Sequence, residues 1–373
     1  MDLKLNEVKS PAELDRFIRL QWMIYKDYPC WVPPLISERK KFLNPQINPF
    51  FENAEVRLFL AEDHRGNALG RIALVHDHNY QESYSKSTGI MGMFETVDDE
   101  NVSRFLFDHA KQWCEKNGFD KLLGPLNLST NHESGLMVEG FDLPPMLGIP
   151  YNPDYYIRHF ENSGFKKSKD LVSLKLVFTD IPEYLKIAAG KLEKRGRFNL
   201  RPLNLARFED ELKIIWEIYN SAWERNWGFV SMNFKEFKFA AEEMKSFINP
   251  EVCLIAEVKG EPAGFSLALP DVNQVLKDLN GHLFPFGWAK FLWKKNAIDS
   301  YRVLTLGIKK KFRRLGIDAY MYFDMYRKFL DKKIKYCEMS WVLEDNTDML
   351  TPIFKIGGAV YKRHRIYERT FSP

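Results

Sequence analysis

The chain predicts a mixed α/β fold made from two copies of one module, and three observations carry that expectation. Strand-like and helix-like apolar periodicities alternate from end to end. Glycines and phenylalanines recur at a common offset of about 194 residues: Gly66 and Gly70 answer Gly260 and Gly264, and Phe160-x-x-x-Gly164 answers Phe354-x-x-x-Gly358. One stretch, residues 301–330, reads as a buried strand, a basic turn and a helix, the central piece of such a module.

The first copy opens with a strand over Leu3–Val8 and a helix begun by Ser10-Pro11, with Glu13 in its first turn and Leu14, Phe17, Ile18 and Trp22 on its apolar face. Prolines and aromatics from Tyr28 to Phe51 read as a pinned arm. Strands follow at Val56–Ala61 and Gly70–Val75 around a turn at Asp63–Asn67, then at Gly89–Glu95. A helix spans Asn101–Asn117, with Phe105, Ala110, Trp113 and Cys114 on or near its buried side. Lys121–Leu128 is a strand, Asn152–Ser163 a helix ended by Gly164, and Asp170–Val177 a strand.

A helix over Glu183–Lys194, stopped at Gly196, marks the boundary, giving halves 1–178 and 179–373. The order then repeats. Leu200–Leu203 is a strand and Phe208–Trp223 a helix, and Val252–Glu257 and Ala263–Leu269 form a hairpin around Lys259-Gly260. After an aromatic insertion, residues 273–298, the run Val303–Ile308 is a strand. Leu315, Ala319, Phe323, Tyr326 and Leu330 then recur at helical spacing. Cys337–Val342, Asp348–Ile356 and Tyr361–Glu368 complete the copy as strand, helix and strand.

Composition bounds the function. A net charge of +4 on 373 residues, without a long basic tract, argues against nucleic-acid binding. The four cysteines are dispersed and fit a reducing compartment. The N-terminal MDLKLNEVKS lacks a signal-peptide core, and no apolar run approaches the ~18–20 residues of a spanning helix. A cytoplasmic protein without integral membrane segments is expected. His76-x-His78 puts two imidazoles on one strand face without an evident third ligand, so no metal is expected.

The run from Leu306 to Asp318, through Lys309-Lys310-Lys311-Phe312-Arg313-Arg314-Leu315-Gly316-Ile317, resembles the acyl-CoA loop of the GNAT acetyltransferase superfamily. In that family an Arg/Gln-x-x-Gly-x-Gly/Ala turn wraps the CoA pyrophosphate. Asp318 departs from the pattern, an anionic side chain where the family has a small one. Each half also follows the GNAT order of elements, so the resemblance covers nearly the whole chain. Tyr151-Asn152-Pro153-Asp154-Tyr155-Tyr156, Tyr219-Asn220-x-Ala222-Trp223-x-x-Asn226-Trp227-Gly228-Phe229, Leu269-Pro270-Asp271-Val272-Asn273 and Ser340-Trp341-Val342-Leu343-Glu344-Asp345-Asn346 are similar to a bacterial family of tandem GNAT-like proteins. The doubling is distantly similar to N-myristoyltransferases, whose two GNAT-like halves keep one acyl-CoA site.

The resemblance implies acetyl-CoA or another acyl-CoA as co-substrate in the second half. The acyl carbonyl would lie beside the amides of Leu306 and Ile308, and the pyrophosphate on Arg313, Arg314, Leu315, Gly316, Ile317 and Asp318. Asn346 matches an Asn near the pantetheine arm, and equally suits a helix cap. Trp223, Asn226 and Trp227 fall where the family binds its acceptor, and equally suit a core plug; Asn273 either points into the same cleft or caps a following helix. The family's thiolate-protonating Tyr corresponds to Ile353 or Phe354, and neither donates a proton. Glu344 is the first candidate for general base, with Glu224 or Asp271 acting through water as alternatives. In the first half, Asp98-Asp99-Glu100 opens the corresponding helix and would repel a pyrophosphate, so no CoA is expected there.

Two main functions follow, and the tandem build with the aromatic insertion adds a third, transfer of a longer acyl or aminoacyl group. One is a CoA-dependent N-acyltransferase acting on a small-molecule or peptide amine. The other is a catalytically degenerate GNAT-like protein that binds a metabolite or protein partner in the same cleft. The aromatic insertion reads as a lid, an acyl pocket wall or a membrane-touching surface.

Overall fold

The structure, a computed structural model, describes residues 2–283 and 287–371. Phe284, Pro285 and Phe286 of the aromatic insertion lie outside them. Strands are β1 Lys4–Glu7, β2 Ala54–Glu62, β3 Ala68–Asp77, β4 Thr88–Thr96, β5 Lys121–Gly124, β6 Leu136–Glu139, β7 Lys166–Val177, β8 Asn199–Pro202, β9 Leu254–Val258, β10 Glu261–Pro270, β11 Ser300–Ile308, β12 Tyr336–Leu343 and β13 Ala359–Thr370. The chain forms a mixed α/β fold in two compact units.

The first unit comprises Met1–Leu171, Asn273–Lys294 and Lys362–Pro373. Its strands run β1-β2-β3-β4-β5-β13. All neighbours are antiparallel except β4 and β5, and β6 also pairs with β13. The second unit comprises Val172–Val272 and Lys295–Tyr361. There β8, β9, β10 and β11 are successive antiparallel neighbours and β11 lies parallel to β12, with β7 beyond it. These packed units differ from a linear division at residue 178 in three segments, the first being residues 172–178, which pack with the second unit. The insertion helix and most of β13 pack with the first unit.

Local chemistry explains the element ends. Ser10 and Glu13 form a reciprocal capping box, Glu13 N–H donating to Ser10 Oγ and Ser10 N–H to Glu13 Oε2. β5 stops at Gly124, four residues short of the strand expected to Leu128, because Pro125 cannot donate to a ladder. In the first unit, helix Glu100–Lys116 buries Leu106, Phe107, Ala110, Trp113 and Cys114 against the sheet.

The second unit's long helix, Ile317–Asp331, sits differently from its expected register. Met321, Tyr322, Met325, Tyr326 and Phe329 are buried, whereas Ala319, Phe323 and Leu330 are half-buried. A second helix, Glu183–Arg195, packs along it, so the apolar surface is wider than a single stripe. Helix Phe234–Met244, capped by Asn233, was not foreseen.

The repeat is one residue out at its end. Phe165 N–H donates to Phe160 O, and Gly358 N–H donates to Ile353 O in the same turn. Gly164 and Gly357 both take positive φ there, at 82° and 96°. The match of Phe160 is therefore buried Ile353, not the exposed Phe354.

Candidate acyl-CoA site

The second unit's two parallel strands separate partway along their length. β11 and β12 stay in register from Ser300 opposite Tyr336 to Val303 opposite Met339. At that point β11 carries a bulge, where the register with β10 skips Leu304. Leu304, Thr305 and Leu306 beyond it are only half-buried, and Thr305 Oγ1 has no hydrogen-bond partner among the described residues. Lys309 N–H donates to Ala263 O on β10. Backbone amides alternate direction along a strand, so those of Leu306 and Ile308 turn away from β10, toward the side from which β12 has departed.

The turn after β11 is shaped for an anion. Arg314 has φ 68° and Gly316 φ 81°, and Gly316 opens helix Ile317–Asp331 without any side-chain cap. Alternating left-handed residues ahead of an uncapped helix make a concave set of N–H groups at the positive end of the helix dipole. Arg313 is exposed and anchored through Nη2 to Ala222 O at 3.1 Å. Arg314 is exposed, and neither it nor Lys310 forms an ion pair among the described residues. Asp318 lies in the first helical turn, half-buried, where it opposes an anion.

One wall of this region is helix Phe208–Trp223. Trp223 stacks on Tyr219 at 4.9 Å and lies against Gly307 of β11. Asn226 N–H donates to Trp223 O, and Asn226 and Trp227 are half-buried in the following loop. Asn273 belongs to the first unit, where its buried amide donates to Pro145 O at 2.8 Å. The insertion helix Gly287–Lys294 is also in that unit, with Leu292 and Trp293 exposed.

The expected acid–base positions divide by environment. Glu344 is half-buried just beyond β12, and Glu224 is exposed. Asp271 is buried and accepts from Ser300 Oγ at 3.4 Å. Asn346 caps helix Thr347–Lys355, accepting from Met349 N at 3.2 Å.

A buried polar network that the sequence reading passed over lies where β11 and β12 part. Arg302 donates through Nε to Ser340 Oγ at 2.9 Å and through Nη2 to Ser340 O at 3.1 Å. Ser340 Oγ donates to Glu338 Oε1 at 2.5 Å, and Tyr361 Oη donates to Glu338 Oε2. Burial, then the Glu338 carboxylate, pushes the Tyr361 phenol far above its ordinary range. The legible signal was a glutamate and a serine alternating with Cys337 and Met339 in an apolar strand.

In the first unit the corresponding gap is closed. Leu126 N–H donates to Met91 O, and Met93 N–H donates to Asn127 Oδ1, both at 2.8 Å. A Cβ on Gly92 would fall 1.9 Å from Leu126 O. Asp99 caps its own helix by accepting from Asn101 N–H, which occupies the anion-binding end. Elsewhere in this unit, Glu55 is the register partner of His76, and ligand atoms of Glu55, His76 and His78 lie within 4.8 Å of one another. A third side chain of ligating type, absent from the local sequence pattern, therefore stands on the neighbouring strand.

No family model matches the chain. It is 38% identical over 379 residues to the bacterial ceramide synthase of Caulobacter vibrioides (strain NA1000 / CB15N), covering 99% of this chain and 97% of that one. It is 36% identical over 363 residues to protein YghO of Escherichia coli (strain K12), covering 96% and 93%. Among solved structures, the tandem GNAT protein from the clavulanic acid biosynthesis pathway matches with a TM-score of 0.59 at 11% identity, covering 100% of this chain and 99% of that one. That last likeness is one of fold. Among the described residues, no helix is long and apolar enough to cross a membrane.

Proposed function

Because the chain belongs to the tandem GNAT-like acyltransferase family, we propose that it moves a fatty acyl group from an acyl-CoA bound in the second unit to a long-chain amine. The acceptor class follows from the relative named a ceramide synthase, ceramide being the N-acyl derivative of a long-chain amino alcohol. One observation carries the assignment to the second unit. Only there, among the described residues, does the central strand part from its parallel neighbour above an uncapped, basic helix N-terminus.

In this reading the pyrophosphate rests on the amides and arginines from Arg313 to Asp318, and pantetheine enters between β11 and β12. The amides of Leu306 and Ile308 receive the thioester oxygen and stabilise its negative charge as the amine attacks. The new C–N bond forms as the C–S bond breaks, and CoA leaves as thiolate. Glu344 accepts the proton of the attacking amine, directly or through water. Thiolate protonation falls to solvent or to the proton that Glu344 has taken from the amine, since Ile353 and Phe354 have none to give. Trp223, Asn226 and Trp227 line the acceptor side, and Asn346 holds the helix cap beside the pantetheine path. Asn273, engaged with Pro145, has no part in this assignment.

The test is amide formation. Purified protein is incubated with a C16 acyl-CoA or acetyl-CoA and a long-chain amino alcohol, and N-acyl product and free thiol are both measured. Stoichiometric product and thiol, faster with the C16 donor, support the proposal. CoA binding without turnover of either donor would instead favour the degenerate, ligand-binding reading, for which Asp318 and the absent tyrosine are the specific observations.

A further inference from the structure

We infer that Arg302, Ser340, Glu338 and Tyr361 form a brace that holds β11 and β12 apart and so keeps the pantetheine channel open, making Arg302 a positioning residue. The inference rests on the proposed acyl-CoA reading of this site.

Where two strands separate, carbonyls that had been in a ladder need new donors, because a buried unpaired carbonyl is costly. Ser340 is the first residue of β12 beyond the last registered pair, Val303 and Met339. Its carbonyl accepts from Arg302 Nη2, and its hydroxyl from Arg302 Nε. A guanidinium thus takes over where a strand amide would otherwise have to be.

The brace is rigid because each of its members is held. Arg302, Ser340 and Glu338 are 6%, 3% and 0% exposed. Ser340 Oγ donates to Glu338 Oε1, and Tyr361 Oη, from the start of β13, donates to the second carboxylate oxygen. The guanidinium lies over the Trp341 ring at 5.4 Å, which restricts it further. A buried cation and anion joined through a serine need each other, since either alone would be an uncompensated buried charge.

The first unit supplies an internal control. Gly70 pairs with Thr96 as Gly264 pairs with Ile308, which aligns β4 with β11. Ile90 then stands in the place of Arg302, and its register partner Leu123 in the place of Glu338. Pro125, two residues on, takes the place of Ser340. Every polar member on these two strands is apolar in the first unit, and there the gap is sealed by Leu126 and Asn127. A Cβ on Gly124 would lie 2.3 Å from Met91 O, so closely do those strands approach.

The experiment compares CoA with 3′-phospho-ADP, which has the nucleotide and pyrophosphate but no pantetheine, by titration calorimetry on the full-length protein. Wild type binds CoA at least tenfold more tightly than 3′-phospho-ADP. Arg302→Met keeps its affinity for 3′-phospho-ADP within twofold, while its CoA affinity falls to the same level. Arg302→Lys, which restores one donor, recovers part of the ratio. Should Arg302→Met fail to fold, Ser340→Ala removes the hydroxyl link alone and lowers the ratio several-fold. An unchanged ratio in the folded variants overturns the brace while leaving the acyl-CoA site intact. Failure of wild type to bind either compound overturns the acyl-CoA reading, and with it the brace's role at the pantetheine.

Discussion

The indole of Trp223 rests on the backbone of Gly307, so closely that a Cβ added to Gly307 would come within 2.3 Å of Trp223 Cζ3. Glycine is what lets the helix Phe208–Trp223 approach the part of β11 that has lost its parallel neighbour. Gly307→Ala is expected to displace the ring or lift the strand, at ~1–3 kcal/mol of overpacking. Chemical denaturation measures that cost, and amine saturation kinetics show a raised KM for the acceptor.

The loop charges should govern nucleotide affinity without governing stability. Arg314 is exposed and has no acidic partner among the described residues, so its removal leaves the fold unharmed. Arg314→Glu should weaken CoA about tenfold, ~1.4 kcal/mol, with an unchanged melting temperature for the unliganded protein. Asp318→Ala should act in the opposite direction, because it removes an anion from the first turn of the helix that receives the pyrophosphate. Thermal shift against CoA concentration reads both.

Glu344→Gln keeps the size of the side chain and removes its basicity. As general base for the amine, its loss should lower kcat by ~10²–10³ while the KM for acyl-CoA stays near wild type. An unchanged kcat would return the role to Glu224 or Asp271 through water.

The first unit contains a pH-dependent element of stability. His132 sits among Phe42 and Phe50 with Ser129 Oγ 2.9 Å from its Nδ1. Burial pushes its pKa down from 6.5 to about 4. The unfolded chain therefore takes up the proton first as pH falls, and stability conferred above 6.5 is lost between 6.5 and 4. Complete expression of that shift is ~3 kcal/mol, and water reaching the half-buried ring reduces it toward ~1–2. Urea unfolding at pH 7.5 and 4.5 should show a smaller difference in His132→Asn than in wild type.

Much of the fold was legible because its signals are local. The Ser10-Pro11 start, the hairpin glycines and the alternation of apolar runs depend on neighbours within a few residues. The repeated glycines reported the same backbone twice: Gly66 and Gly260 both turn with φ near 80°, at 81° and 79°. The last repeat unit was misaligned by one because Phe354 carries the matching letter while Ile353 carries the matching burial. The strand end, turn and helix start at residues 306–318 were legible because a local motif defines them. The network of Arg302, Glu338 and Ser340 was not, because its meaning depends on where strand pairing ends, which composition and periodicity do not encode. Glu55 was missed for the same reason, since its nearness to His76 is a matter of cross-strand register.

Binding stoichiometry decides whether acyl-CoA occupies the second unit alone. Full-length protein is titrated with a non-transferable thioether analogue of a C16 acyl-CoA, and the number of sites is read alongside the affinity of Arg314→Glu. One site per chain is expected, weakened about tenfold by that substitution, ~1.4 kcal/mol. Two sites per chain, or one site indifferent to Arg314, would contradict an acyl-CoA site confined to the second unit.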